Sequence, residues 1–289
     1  MYKLIIIDID GTLLNSNGEI SIENKNAISK AVDNGIEVVL ASGRIINSIK
    51  TMANELGANN YLIAGNGALV YDIQKDKIIY SNYLNKQKVL EIIRICEENS
   101  IFCTISTEDT IITKSLNYNV LFYTSENLKN EQNKRINITV VQDIIEYIEQ
   151  YDKNDFLKIT VCDGDKIVFE RILEKLKQIQ EVDVLDISHI SRKQIATTTQ
   201  NTEIAYCYTE ITNKNVDKWS AIKYLAKELN INDDEIICIG DNANDIEMVK
   251  NAGLGVAMEN GLPKLKDEAN VVTKSNNNSG IAHIINKII

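Results

Sequence analysis

Two aspartates two residues apart, Asp8 and Asp10, open a glycine-bearing turn, Asp8-Ile9-Asp10-Gly11-Thr12. A second acidic pair, Asp241 and Asp245, lies in the run Gly240-Asp241-Asn242-Ala243-Asn244-Asp245. Between them stand Ser42-Gly43-Arg44, Gly65-Asn66-Gly67 and Lys218. Taken singly, each has a plain structural role: an Asp or Ser can cap a helix or close an Asx-turn, and a Lys can lie on a solvated helix face. Together they suggest more. Four carboxylates converging on one crevice repel each other where water is scarce, so such a cluster calls for a cation. All-oxygen ligands suit Mg²⁺ or Ca²⁺, and a site that keeps positions for water and phosphate oxygens suits Mg²⁺.

The elements around these residues give a reason for them to converge. Lys3–Ile9, Ile36–Ala41 and Tyr61–Ala64 read as short apolar strands, separated by helices over Ile22–Asn34 and Ile45–Leu56 that stop at Gly35 and Gly57. The last third follows the same grammar, with helix Lys218–Leu229, strand Glu235–Gly240, helix Asp245–Asn251, short strands Leu254–Ala257 and Asn270–Thr273, and a closing helix Ile281–Ile288. Alternation of this kind predicts an α/β fold with a doubly wound parallel sheet, and ligands bind such sheets beyond the carboxyl ends of the strands. Asp8, Ser42, Gly65 and Asp241 all follow predicted strands at that end.

The middle of the chain reads differently. Ala68–Tyr71 and Lys77–Tyr80 flank Gln74-Lys75-Asp76 as a hairpin. Paired strand signals then dominate: Ile101–Ile105, Thr110–Thr113, Leu157–Val161, Val182–Ile187 and Ala205–Ile211. This predicts a core in two parts, residues 1–82 and 212–289, with an α+β domain over 83–211 inserted between them.

Composition narrows the function. The 289 residues carry 31 Lys+Arg against 41 Asp+Glu, a net charge of −10, which argues against broad contact with nucleic acid or anionic lipid. With only His189 and His283 present, and neither near a G-x-S-x-G motif, a Ser-His-Asp triad or a His-rich zinc site has little to draw on. The five cysteines include no C-x-x-C pair and read as small buried hydrophobes in a reducing compartment. No apolar run approaches the ~20 residues of a membrane span, and no signal peptide fits the N-terminus; the expected location is cytoplasmic.

In order, Asp8-Ile9-Asp10-Gly11-Thr12-Leu13, Ser42-Gly43-Arg44, Lys218 and Gly240-Asp241-Asn242-Ala243-Asn244-Asp245 resemble the four motifs of the haloacid dehalogenase superfamily. Gly65-Asn66-Gly67-Ala68, Glu210-Ile211 and Ala252-Gly253…Val256-Ala257-Met258-Glu259-Asn260 look like its Cof-type branch, whose inserted cap is of type IIB. The resemblance implies a Rossmann-like core and a Mg²⁺-dependent phosphatase acting on sugar phosphates or phosphorylated cofactors through an aspartyl-phosphate. It makes Asp8 the nucleophile and Asp10 the acid/base. Mg²⁺ would be held by the Asp8 and Asp241 carboxylates and the Asp10 carbonyl, with Asp245 holding metal-bound water or orienting Lys218. Ser42 and the N–H groups of Ile9, Asp10 and Gly43 would cradle the phosphoryl oxygens, with Lys218 balancing charge and Asn244 donating a hydrogen bond. Ser42 stands where Thr is common, Trp219 follows Lys218 where Gly is usual, and Asn215 replaces a frequent Gly.

The cap is expected to close over the crevice, with Tyr118–Tyr123 and His189–Gln194 as candidate substrate contacts. Asp163-Gly164-Asp165 reads as a turn into a helix cap and His283 as an ordinary helix residue. The expected partner is a small phosphomonoester, with no nucleic acid and no membrane, and the protein a monomer or weak homo-oligomer. A phosphomutase or phosphotransferase shares this chemistry, and a receiver-like signalling module shares its acidic cluster and Lys, though receivers are shorter and lack an Asp two positions after the acceptor.

Overall fold

The computed structural model describes residues 2–129, 132, 135–185, 191–196 and 201–289. In chain order the elements are β1 (Leu4–Ile7), α1 (Ile22–Asp33), β2 (Glu37–Ala41), α2 (Ile46–Glu55), β3 (Tyr61–Ala64), β4 (Leu69–Asp72) and β5 (Lys77–Ser81). They continue with α3 (Lys86–Glu98), β6 (Phe102–Thr107), β7 (Thr110–Thr113), α4 (Asn119–Lys129), β8 (Asn137–Val140), α5 (Ile144–Gln150), β9 (Phe156–Asp163), α6 (Lys166–Leu176), β10 (Val182–Val184), β11 (Ser191–Ala196) and β12 (Asn201–Asn213). The last part holds α7 (Lys218–Leu229), β13 (Ile236–Gly240), α8 (Ile246–Asn251), β14 (Leu254–Ala257), α9 (Pro263–Glu268), β15 (Val271–Val272) and α10 (Gly280–Ile288).

The chain divides into two compact units. Met1–Ser81 and Val216–Ile289 form one, and Asn82–Asn215 the other. In the first, the strand order is β15-β14-β13-β1-β2-β3-β4-β5. The six strands from β15 to β3 run parallel, and the hairpin strands β4 and β5 extend the sheet antiparallel. All four residues of β1, Leu4 to Ile7, are fully buried. A central parallel strand is covered on both faces, so it reads as a continuous apolar run with no alternation. Strand order departs in both directions from β1, and β1 aligns Ile7 with Leu40 of β2 and Ile239 of β13. This register brings the turns after β1, β2 and β13 to one edge of the sheet, the crevice that open α/β sheets use for ligands.

Two predicted strands are shorter than their apolar runs. The first ends at Ile7, not Ile9, because the carbonyls of Asp8 and Ile9 turn back to accept the N–H of Leu13 at 3.2 and 3.0 Å. The 270–273 strand shrinks to Val271–Val272.

The inserted unit orders its strands β10-β12-β9-β6-β7-β8, with β11 paired to β12. The β7–β8 pair is parallel and the others antiparallel. Ile159, Val161, Ile105 and Ile211 of the sheet share an apolar cluster with Val89, Ile92 and Ile93 of α3 and Phe169, Ile172 and Leu173 of α6. β12 continues to Asn213, so a boundary at 211/212 would cut a strand. Tyr118 and Asn119–Tyr123 turn out to enter and begin α4. Asp165 caps α6, its side chain accepting from the N–H of Ile167 and Val168. Of His189–Gln194, residues 189 and 190 lie outside the described residues, as do 186 and 187 of the expected Val182–Ile187 strand. All five cysteines are buried free thiols.

Candidate active site

Asp8 is the first residue beyond β1. Its N–H donates to the Ile239 carbonyl at 3.0 Å, which extends the β1–β13 ladder by one bond and seats Asp8 beside the β13 turn. Asp8, Asp241 and Asp245 each bring a carboxylate oxygen within 4.8 Å of the others. The turn Gly240–Asp245 is built around Asp245. One of its oxygens accepts from the N–H groups of Asp241 and Asn242, both at 3.0 Å, while the other accepts from Lys218 Nζ at 2.7 Å. Lys218 Nζ also donates to Asp8 Oδ1 at 2.5 Å. Asp217 caps α7, with its side chain accepting from Ser220 N–H, and so sets the first helical residue, Lys218, in place.

Lys218 and Asp245 are fully buried and Asp8 is 4% exposed. Burial pushes the Asp8 carboxyl up to about 7; the neighbouring Asp245 charge adds to this and Lys218 opposes it. Burial, then Asp8 and Asp245, hold Asp241 well above the ordinary carboxylate range. Burial works against the Lys218 charge, but the Asp245 and Asp8 carboxylates outweigh it and keep the ammonium above its usual value. The raised Asp8 and Asp241 carboxyls show that one ammonium does not balance three carboxylates at this degree of burial, and an all-oxygen donor set of this kind fits a hard divalent cation.

Of the four carboxylates, Asp8, Asp241 and Asp245 lie within reach of one ion, and the Asp10 side chain pairs with Arg44. The Arg44 guanidinium grips both oxygens of Asp10, Nε to Oδ2 at 2.9 Å and Nη2 to Oδ1 at 2.8 Å. Arg44 is itself buried, and its Nη1 donates to Ser48 Oγ at 3.0 Å, whereas the Asp10 side chain is 41% exposed. A bidentate fork fixes the carboxylate plane, yet a carboxylate has about four lone-pair directions, so the fork leaves Asp10 further capacity to bond.

Ser42 is buried at the end of β2. Its N–H donates to the Ile63 carbonyl at 3.0 Å and its hydroxyl accepts from Arg44 N–H at 3.3 Å. Ile9 is buried, and Gly43 lies between Ser42 and Arg44 in the β2 turn. Asn244 donates from Nδ2 to Asn66 Oδ1 at 3.0 Å. Asn215 adopts the left-handed backbone expected there, with φ +61°. Trp219 packs at the rim of the apolar cluster formed by Ala221, Ile222 and Leu225, under Lys223 Nζ, which stands 5.8 Å from its ring centroid.

Three further residues shape the site: Arg44, Thr12 and Gly11. Arg44 was legible only as a motif letter. Thr12 donates from Oγ1 to Asp241 Oδ1 at 2.8 Å, joining the two acidic turns. Gly11, at φ +88°, lies so close to that junction that a Cβ would sit 2.4 Å from Asp241 Oδ2. Gly11→Ala is therefore expected to displace the Asp241 carboxylate. The half-saturating Mg²⁺ concentration should rise about tenfold, within the range seen when groups that orient metal ligands are lost. An unchanged Mg²⁺ titration would show that Asp241 does not govern ion binding.

The chain belongs to the haloacid dehalogenase-like hydrolases: that family's model matches residues 5–285. Its inserted α+β unit gives it the Cof-type, subclass IIB architecture. Phosphatase YwpJ of Bacillus subtilis is 29% identical over 298 aligned residues, covering 99% of this chain and 100% of that protein. The 5-amino-6-(5-phospho-D-ribitylamino)uracil phosphatase YwtE of the same organism is 29% identical, with 99% and 98% coverage. A solved haloacid dehalogenase-like hydrolase from B. subtilis matches at TM-score 0.82 and 27% identity, covering 99% of this chain and 100% of that one.

Proposed function

We propose that this hydrolase cleaves small phosphomonoesters, sugar phosphates or phosphorylated cofactors, by passing the phosphoryl group through Asp8. The observation that carries the reading is the buried Asp8–Lys218–Asp245 chain set against Asp241 at one strand-end crevice. Asp8 and Asp241, with the Asp10 carbonyl and Asp245, are the residues that would hold Mg²⁺, which when bound neutralises charge on the phosphoryl oxygens.

Lys218 engages Asp8 Oδ1, and the other oxygen attacks phosphorus. The Asp8 Oδ–P bond forms as the P–O ester bond breaks, and its electron pair leaves with the ester oxygen, which takes a proton from Asp10. Water then attacks phosphorus and gives its proton to Asp10, and the Asp8–P bond breaks, restoring both carboxyl groups. The Arg44 fork sets the Asp10 plane before the first transfer. Ser42, Asn244 and the N–H groups of Ile9, Asp10 and Gly43 receive the phosphoryl oxygens, with Lys218 balancing their charge. The substrate in the name of YwtE, 5-amino-6-(5-phospho-D-ribitylamino)uracil, favours a ribityl-type alcohol as the leaving group.

The protein would work in the cytoplasm, as a monomer or weak homo-oligomer. Five free buried thiols support a reducing compartment, and no helix among the described residues is long and apolar enough to cross a membrane.

The test is phosphate release from a panel of sugar phosphates, nucleotides and phosphorylated cofactors, ranked by kcat/KM, with Mg²⁺ and after exhaustive chelation. Release should require Mg²⁺ and return when it is restored. Unchanged turnover after chelation would remove the metal from the reaction, and a phosphorylated sugar appearing in place of inorganic phosphate would show a transferase.

A further inference from the structure

The turn Gly65–Gly67 supplies no group to the reaction above, yet it touches three segments that do. Gly65 N–H donates to the Arg44 carbonyl and Asn66 N–H to the Ser42 carbonyl, each at 3.0 Å. Gly67, at φ +100°, lies so near the N-terminus of α7 that a Cβ would fall 2.1 Å from the carbonyl oxygen of Asp217, the residue before Lys218. Between the two glycines Asn66 is buried in the left-handed region, at φ 60° and ψ 27°, and its Oδ1 accepts from Asn244 Nδ2 at 3.0 Å.

A carboxamide has two N–H donors in one plane, so occupying one fixes the direction of the other. An acceptor at Asn66 Oδ1 also decides which end of the Asn244 amide faces it, since only the nitrogen can donate. We propose that Asn66 is a positioning residue: its side-chain carbonyl sets the plane of the Asn244 amide so that the second Asn244 N–H meets a phosphoryl oxygen. The backbone of the same turn, through Ser42 and the start of α7, holds the other phosphate-side groups in register with it. This rests on the phosphatase reading. Asn at this position combines two properties that few residues share, tolerance of positive φ and a side-chain acceptor.

The test compares Asn66→Gly, which keeps the left-handed backbone but deletes the acceptor, with Asn244→Ala and the double variant. Three readouts apply: kcat/KM, the affinity for inorganic phosphate measured by calorimetry with Mg²⁺ present, and the unfolding midpoint. Removing an oriented donor costs about 10²–10³ in rate, and misplacing it costs less, so Asn244→Ala should lose about 10²-fold and Asn66→Gly about tenfold. Phosphate affinity should fall in the same order. The double variant should match Asn244→Ala within about twofold, because Asn66 has nothing left to position. Wild-type values in Asn66→Gly, or a loss that multiplies in full with Asn244→Ala, would overturn the role of Asn66; in the latter case a lowered midpoint would mark the turn as merely structural. A wild-type protein that neither hydrolyses phosphomonoesters nor binds phosphate would instead overturn the phosphatase reading and the role of Asn66 with it.

Discussion

Asp8→Asn is expected to abolish turnover, by at least about 10³-fold, equivalent to roughly 4 kcal/mol of lost transition-state stabilisation. An amide of the same shape can occupy the position but cannot displace an ester oxygen from phosphorus. The same change should make the chelated protein harder to unfold at alkaline pH. Asp8 is raised from 3.8 to about 7 by burial and by Asp245. The folded state therefore binds more protons than the unfolded state between those two values, and stability falls as pH rises through that window. Above pH 7 the wild-type protein carries the whole penalty, on the order of a few kcal/mol, and the uncharged amide of the variant carries none. Phosphate-release assays and thermal unfolding at pH 5 and pH 8 check both halves. Near-normal turnover would refute Asp8 as nucleophile, and a midpoint lowered at pH 8 would refute the electrostatic account of the pocket.

Lys218→Met should move stability in the opposite direction. The ammonium stands between Asp8 and Asp245 with no exposed surface. Removing it leaves two buried carboxylates without a counter-charge, and loss of one partner from such an arrangement costs about 3–5 kcal/mol. Methionine keeps the length and apolar character of the stem, so the loss reports the charge, not a cavity. Turnover should fall about 10²–10³-fold, because the charge that balances nucleophile and phosphate is gone. Added Mg²⁺ should restore part of the unfolding midpoint without restoring activity. A variant as stable as wild type under chelation would refute the Lys218 ammonium as the group that balances the buried Asp8 and Asp245 side chains.

Much of this was legible because the core obeys local rules. The buried runs Leu4–Ile7 and Ile236–Gly240 are too short and too apolar for surface helices, and each is closed by a glycine-bearing acidic turn, so the strand ends could be placed almost to the residue. The helix Lys218–Leu229 was placed to the residue, and Asp217 caps it. What escaped was every contact made after a strand had ended. Side-chain alternation stops at Ile7, so nothing in the spacing says that Asp10 turns toward Arg44 while Asp8 turns inward. Thr12 to Asp241 and Asn244 to Asn66 span 229 and 178 residues, and no local pattern encodes such pairs. The start of α4 carries no helix signal of its own, because three of the six residues Tyr118–Tyr123 are aromatic and aromatics are as much at home in strands.

The pairing of β1 with β13 also dictates when the crevice can exist during synthesis. Leu4 must wait for Ile236, with the whole of Asn82–Asn215 emerging in between. At about 5–20 residues per second, that interval lasts on the order of ten to fifty seconds. Throughout it, an apolar parallel strand has one unpaired edge on the ribosome-tethered chain, a template for mispairing with other nascent chains. The intervening segment is contiguous and can finish folding first. Slowed elongation beyond Asn215 should thus favour aggregation of this protein, and co-translational chaperones that shield strand edges should raise its yield.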